Sequence, residues 1–136
     1  MNLALIDTGP MVALFDASDY AHAHYTGLLA QSQWQLTTTW LCVTEVCHFL
    51  GANAVQRFLR WVSEGGVVVY PLDASNLPDL ADLMARYTKP PRTEMDLADA
   101  SLVWLAQDTN TLQVMTMDVR DFSRYRLPDG RSFEIL

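Results

Sequence analysis

Four acidic residues lie beside or within apolar segments that are spread along the chain: Asp7, Glu45, Asp99 and Asp118. A carboxylate that is buried in such surroundings costs free energy unless it is paired or binds a metal. Several sites of this type suggest one convergent acidic pocket. Because carboxylates that share a pocket repel one another, such a pocket needs a cation.

The first two acids each have an ordinary structural alternative. Asp7 ends the apolar residues 3–6 and is followed by Thr8, whose hydroxyl can support a metal ligand. Asp7 can equally form an Asx turn or cap a short helix. Glu45 lies within a predicted helix, where an exposed glutamate is common. Its mostly apolar neighbours favour a buried, paired role instead.

The later acids come in two pairs. Asp96 and Asp99 are three residues apart at the start of a predicted helix, so they share one face. Asp96 also resembles the third residue of a capping box with Thr93, which leaves Asp99 as the better ligand. Asp118 follows an apolar run, where it is either a ligand or a turn former. For Asp121 we favour a turn former over a supporting role in the site.

Histidine and cysteine offer no competing metal site. His22 and His24 lie in a predicted surface helix far from the acids in sequence, and we expect structural roles for them. Cys42 and Cys47 lack zinc spacing, and in a helix they point away from each other. Two reduced thiols, no N-terminal signal peptide and no apolar run of bilayer length predict a cytoplasmic protein.

The composition fits one domain, residues 1–136, with half of its residues apolar. The net charge of −7 argues against a protein that coats DNA, because neutralising phosphates requires lysine and arginine. It does not exclude an enzyme that meets nucleic acid at one local site. Several of the few cations flank the acids in sequence, among them Lys89 and Arg92 before Asp96. A solvated surface is an equally good interpretation of these cations.

Strand and helix patterns alternate along the chain. We predict strands at residues 2–6, 35–38, 67–70, 112–117 and 132–136, and helices at 11–15, 21–29, 41–50, 53–63, 75–87 and 94–107. This alternation predicts an α/β fold with a parallel sheet and helices on both faces. Ligands of such sheets bind outside the carboxyl ends of the strands. Asp7 and Asp118 both follow predicted strands, which favours one shared site.

In order and in context, these residues resemble the PIN-domain family, and more narrowly its VapC-like members. The resemblance covers essentially the whole chain. It matches the four family acids to Asp7, Glu45, Asp99 and Asp118, with the fourth in the pattern Thr116-x-Asp118. Thr8, Asp96, Thr116 and Asp121 are accessory candidates.

The resemblance implies a three-layer α/β sandwich around a short parallel sheet. It also implies a magnesium- or manganese-dependent ribonuclease, usually a homodimer, that is encoded with an antitoxin whose C-terminal segment covers the active site. Hard oxygen ligands agree with magnesium or manganese rather than zinc. Asp7, Asp99 and Asp118 are the expected principal ligands, and Glu45 would hold a water or complete the ligand set.

Two other functions compete with this hypothesis. A PIN-like module that binds protein or RNA without cleaving it would also fit the acidity and the few cations. A phosphatase or phosphotransfer receiver fits less well. A receiver needs an acceptor aspartate after a middle strand and a lysine near its end, whereas only Asp73 follows residues 67–70 and arginines follow Asp118.

Overall fold

A computed structural model describes residues 1–136. Five parallel strands form one sheet in the order β3-β2-β1-β4-β5, and seven α-helices flank it. The elements in chain order are β1 (Asn2–Ile6), α1 (Thr8–Phe15), α2 (His22–Gln31), β2 (Trp34–Thr39), α3 (Trp40–Phe49), α4 (Ala52–Ser63), β3 (Val68–Tyr70), α5 (Leu77–Tyr87), α6 (Leu97–Thr109), β4 (Gln113–Met115), α7 (Val119–Arg124) and β5 (Glu134–Ile135). A short 3-10 helix at Ala74–Asn76 precedes α5. The predicted α/β fold is confirmed.

Strand β1 occupies the centre of the sheet. It pairs with β2 on one side, where Leu5 lies beside Thr37, and with β4 on the other, where Ile6 lies beside Met115. Leu5 and Ile6 are fully buried, as the apolar sequence of a central parallel strand requires. The carboxyl ends of β1, β2 and β4 therefore meet at one edge of the sheet.

Helix α6 is central to the core. Ala100, Leu102, Val103 and Leu105 are fully buried on it, which agrees with its nearly all-round apolar sequence. Ser101 is also fully buried, and its hydroxyl lies 2.8 Å from that of Thr39 at the end of β2. This contact joins α6 to the edge of the sheet where the acids lie.

The start of α6 differs from the prediction. Asp96, not Thr93, is the N-cap, and its side chain accepts a hydrogen bond of 2.8 Å from the backbone N–H of Asp99. Thr93 instead forms an antiparallel bridge with Lys89, which holds it outside the helix. The expected capping box between Thr93 and Asp96 was therefore wrong.

Two helices near the ends of the chain also differ from expectation. Helix α7 was not predicted; Asp118 caps it and accepts from the N–H of Asp121 at 3.3 Å. Helix α2 begins at His22, and Asp19 caps the preceding turn by accepting from the N–H of Ala21. None of the helices is long and apolar enough to cross a membrane.

Candidate active site

One open cavity of about 480 Å³ brings the predicted acids together at the carboxyl edge of the sheet. Six carboxylates line it: Asp7, Asp19, Glu45, Asp96, Asp99 and Asp118. Its remaining lining residues include no lysine or arginine. The walls of the cavity thus carry six acidic side chains and no basic side chain to compensate them.

Asp7 lies at the junction of β1 and α1, at the base of the cavity. Its Oδ1 accepts a hydrogen bond of 2.8 Å from the backbone N–H of Thr8, so it is the N-cap of α1. Its Oδ2 accepts one of 2.9 Å from the hydroxyl of Thr116. Burial is the main reason that the pKa of Asp7 rises to about 6, and the charges of Glu45 and Asp96 add to it. Helix capping and a role in the cavity are therefore compatible in one residue.

Thr116 connects two of the acids. Its hydroxyl donates to Asp7 and accepts a 3.0 Å hydrogen bond from the backbone N–H of Asp118. Burial raises the pKa of Asp118, and the neighbouring Asp121 contributes to the rise. Thr116 is almost completely buried, so the link between the β1 and β4 ends is fixed by packing.

Glu45 reaches the cavity from α3. Its Oε1 accepts a hydrogen bond of 2.8 Å from the hydroxyl of Thr8, the residue that follows Asp7. Thr8 therefore uses its N–H to hold one acid and its hydroxyl to hold another. The second carboxylate oxygen of Glu45 makes no hydrogen bond within the protein and is available to a ligand or a water.

Asp99 extends from the first turn of α6. Burial raises its pKa to about 8, and the charges of Asp96 and Asp7 add to the rise. The hydroxyl of Tyr125 donates to its Oδ2 at 3.0 Å and partly offsets this effect. The carboxyl of Asp99 is consequently the most strongly destabilised as an anion in the cavity.

Asp121 lies beside the cavity. Oxygens of Asp99, Asp118 and Asp121 lie within 4.8 Å of one another. Arg124 forms a 2.9 Å ion pair with Asp121. Although burial acts to raise the pKa of Asp121, hydrogen bonds from Arg124 and Asp118 and the charge of Arg124 lower it overall. Asp121 therefore has a cationic partner, Arg124, whereas Asp99 has only the neutral hydroxyl of Tyr125.

Known proteins resemble this chain in sequence and in fold. No family profile matches the chain. Ribonuclease VapC26 of Mycobacterium tuberculosis is 26% identical over 136 residues, which cover 97% of this chain and 98% of that protein. Such a match, along both chains from end to end, relates this chain in sequence to a VapC protein.

Two solved structures resemble the fold. The first, VapC20 of Mycobacterium tuberculosis, described as a toxin that cleaves the sarcin-ricin loop, has a TM-score of 0.75 at 16% identity over 88% of this chain and 92% of that chain. The second, VapBC2 from Rickettsia felis bound to a DNA fragment from their promoter, has a TM-score of 0.63 at 14% identity over 98% of each chain. The chain resembles VapC-like PIN-domain proteins in both sequence and fold.

The carboxylates of the acidic cavity fit a hard divalent cation. They supply only oxygen donors, which magnesium and manganese prefer. Three of the carboxyls, those of Asp7, Asp99 and Asp118, have pKa values raised by burial and by their acidic neighbours. A bound cation would relieve both effects, since it compensates the charge that burial disfavours.

Two residues of the acidic cavity and its surroundings, Asp19 and Tyr125, were not predicted as site residues from the sequence. Asp19 precedes the predicted helix at residues 21–29, where the sequence predicts an N-cap, and nothing in its spacing links it to the other acids. In the structure it caps the turn before α2 and not the helix itself. Tyr125 is 26 residues from Asp99, and a single tyrosine carries no motif.

Proposed function

We propose that this chain is a divalent-metal-dependent endoribonuclease and the toxin of a toxin–antitoxin pair. The observation that carries the proposal is the single cavity in which Asp7, Glu45, Asp99 and Asp118 meet. The substrate class, RNA, comes from the sequence similarity of the chain to a protein named Ribonuclease VapC26. A cavity of this composition suits phosphodiester hydrolysis, because that chemistry depends on positioning and on charge stabilisation more than on a protein nucleophile.

Magnesium or manganese is the proposed cofactor, held by Asp7, Asp99 and Asp118, with Glu45 completing the ligand set directly or through a water. When bound, such an ion lowers the pKa of a water and neutralises negative charge on the phosphate. Asp96 lies at the rim of the same cavity, but one of its oxygens already caps α6. We therefore assign Asp96 an accessory role.

The surrounding residues hold the carboxylates in place before substrate arrives. Thr116 fixes the orientation of Asp7, and Thr8 fixes that of Glu45. Tyr125 stabilises the ionised form of Asp99 by donating to it. This preorganisation matters because misplaced carboxylates would have to be reoriented at the cost of catalytic rate.

Two substitutions test the nuclease proposal directly. Asp7→Asn and Asp118→Asn remove one charge each and keep the side-chain shape, so we expect both variants to fold and to lose cleavage by at least about 100-fold. The assay is cleavage of RNA by purified protein with magnesium or manganese, and with a chelator as the negative control. Activity that persists in both variants would come from a contaminating nuclease or from another site, and would refute the proposal.

The partner that we propose is an antitoxin that inserts a basic side chain among the acids. An arginine or lysine would satisfy the uncompensated carboxylates. Phe49 borders the same cavity and is 68% exposed, so it offers an apolar contact beside the insertion point. The structural neighbour VapBC2 from Rickettsia felis is a VapBC complex, which supports an antitoxin partner for this chain.

The antitoxin proposal is tested by co-expressing the chain with the product of the neighbouring reading frame. We expect co-purification that is weakened by Phe49→Ala and by replacing the basic residue of the partner. Unchanged binding after both replacements would exclude the insertion mechanism and leave the nuclease proposal intact. A homodimer, which we also propose, is tested by the mass of the purified chain in solution.

A further inference from the structure

A second cavity, of about 340 Å³, has the opposite charge to the acidic one. It is lined by Arg86, Tyr87, Lys89, Arg92, Thr93 and Arg124. The chain has only nine lysines and arginines, so four of them converge on one small cavity in a protein of net charge −7. Four cations that lie this close repel one another, so a bound anion would stabilise the cluster.

Most of these cations have no partner within the protein. Only Arg124 forms an ion pair, with Asp121, while Arg86, Lys89 and Arg92 make no ion pair and no side-chain hydrogen bond. All three are exposed, so their donors are available to a ligand. Ion pairs within the protein therefore do not stabilise the cluster formed by Arg86, Lys89 and Arg92.

The backbone gives this cavity a defined shape. Lys89 and Thr93 are bridged, and the N–H of Arg92 donates to the carbonyl of Lys89 at 2.9 Å, so a tight turn presents both cations. The turn follows α5, which contributes Arg86 from its last turn. Arg124 comes from the last turn of α7 and closes the cavity from the other side.

The basic cavity adjoins the acidic one through a packed pair of aromatic rings. The ring of Tyr87, which lines the basic cavity, contacts that of Tyr125 with 5.1 Å between their centroids. The hydroxyl of Tyr125 donates to Asp99 in the acidic cavity. Arg124 likewise bonds Asp121, whose carboxylate lies beside Asp99 and Asp118. A strand that enters the acidic cavity can thus extend past Tyr87 and Tyr125 toward the basic cavity.

We propose that this basic cavity binds a backbone phosphate of the same RNA strand whose scissile phosphate enters the acidic cavity. The inference rests on the proposed ribonuclease function and names the residues that hold its substrate. An acidic protein repels RNA at long range, and phosphate contacts from Arg86, Lys89, Arg92 and Arg124 offset that repulsion locally. Because phosphate contacts position a strand without reading bases, the cavity sets the register of cleavage rather than its sequence.

The test compares two charge-matched double variants in the Asp7→Asn background, so that binding is measured without cleavage. Lys89→Gln with Arg92→Gln changes the basic cavity, while Arg57→Gln with Arg60→Gln removes two exposed arginines of α4. The probe is a fluorescent single-stranded RNA of about 12 nucleotides, followed by anisotropy over a salt series. We expect the cavity variant to bind roughly three- to tenfold more weakly per cation removed, with a salt slope lower by about 1.4, since each contact contributes about 0.7.

Several results would overturn the proposal. Equal losses in both double variants would mean that net charge alone matters, and unchanged binding in the cavity variant would remove the site. If a poly-glutamate peptide binds the cavity as tightly as RNA does, its ligand is an acidic protein segment instead. With Asp7 intact, the cavity variant should raise KM with little change in kcat. RNA binding that depends on Lys89 and Arg92 in a chain that never cleaves RNA would support the cavity and refute the nuclease.

Discussion

The hydroxyl of Tyr125 donates a 3.0 Å hydrogen bond to Oδ2 of Asp99. Tyr125 is fully buried, and its ring packs between those of Tyr87 and Phe122. The donor therefore has a fixed position, and it stabilises the anion of a carboxyl that burial and acidic neighbours otherwise favour in the protonated form. One buried phenol thus supports the charged state that a metal ligand requires.

Replacing Tyr125 by phenylalanine tests this relationship. The substitution keeps the ring packing and removes the donor, so we expect a loss of about 1 kcal/mol in the free energy of unfolding. The pKa of Asp99 should rise further, so the pH of half-maximal activity should move upward and more metal should be needed. If the variant loses stability but keeps its pH profile and metal requirement, Tyr125 only packs the core.

Thr116 is expected to matter more than an ordinary buried threonine. Thr116→Val keeps the shape but leaves Asp7 without a donor and the N–H of Asp118 without an acceptor. We expect a destabilisation of about 1–3 kcal/mol in chemical denaturation, together with a large loss of cleavage. Thr116→Ser retains the hydroxyl and should recover most of both properties. A valine variant that is as active as the wild type would show that the threonine does not position the acids.

Asp96→Asn separates helix capping from charge. Asparagine caps helices about as well as aspartate, so thermal stability should change by only a few tenths of a kcal/mol. Asp96 lies at the rim of the cavity, and one of its oxygens already accepts a hydrogen bond from the backbone N–H of Asp99. We therefore expect less than a tenfold loss of cleavage. The matched comparison is Asp7→Asn at the base of the cavity. Equal losses in the two variants would make Asp96 a principal ligand.

The raised pKa values of Asp7 and Asp99 predict how stability depends on pH without metal. Both carboxyls have an ordinary pKa of 3.8, and the folded values are about 6 and about 8. Between pH 3.8 and the folded pKa of each carboxyl, the folded protein keeps a proton on that carboxyl which the unfolded chain releases. The stability from these protonated carboxyls is therefore complete below about pH 4 and is lost as the pH rises through about 6 and then about 8.

Thermal unfolding in a chelator, measured from pH 5 to pH 8, should show this decline as a falling melting temperature. Millimolar magnesium or manganese should reverse it, with the largest gain at the highest pH, because metal binding requires ionised ligands. Asp7→Asn should flatten the step near pH 6. If neither magnesium nor manganese changes the melting temperature between pH 5 and pH 8, the alternative of a binding module without metal is favoured.

The sequence predicted the strands and most of the helices, because their apolar residues are periodic, and it predicted the acids that follow the strands. Asp7 directly follows β1 as predicted, whereas β4 ends at Met115, three residues before Asp118. Parallel pairing places both acids at one edge of the sheet. The start of α6 was not predictable in the same way. Thr93 and Asp96 are both good caps three residues apart, and the bridge from Thr93 to Lys89 decides between them. Tertiary contacts of this kind leave no local pattern.

Helix α7 and the basic cavity were missed for related reasons. Residues 119–124 contain one deeply buried apolar side chain, Phe122, which is too few for helical periodicity to be visible. The cations before Asp96 and after Asp118 were equally consistent with a solvated surface. Their convergence depends on where α7 ends relative to the turn after α5, and only the folded chain shows it.

The pairing of β1 with β4 also sets the time at which the site comes into being. A ribosome makes Asp7 first, but the hydroxyl that orients it, on Thr116, is added 109 residues later. For most of its synthesis the nascent chain has no assembled acidic cavity. The proposed ribonuclease site can therefore assemble only late in synthesis, when the last third of the chain folds against β1.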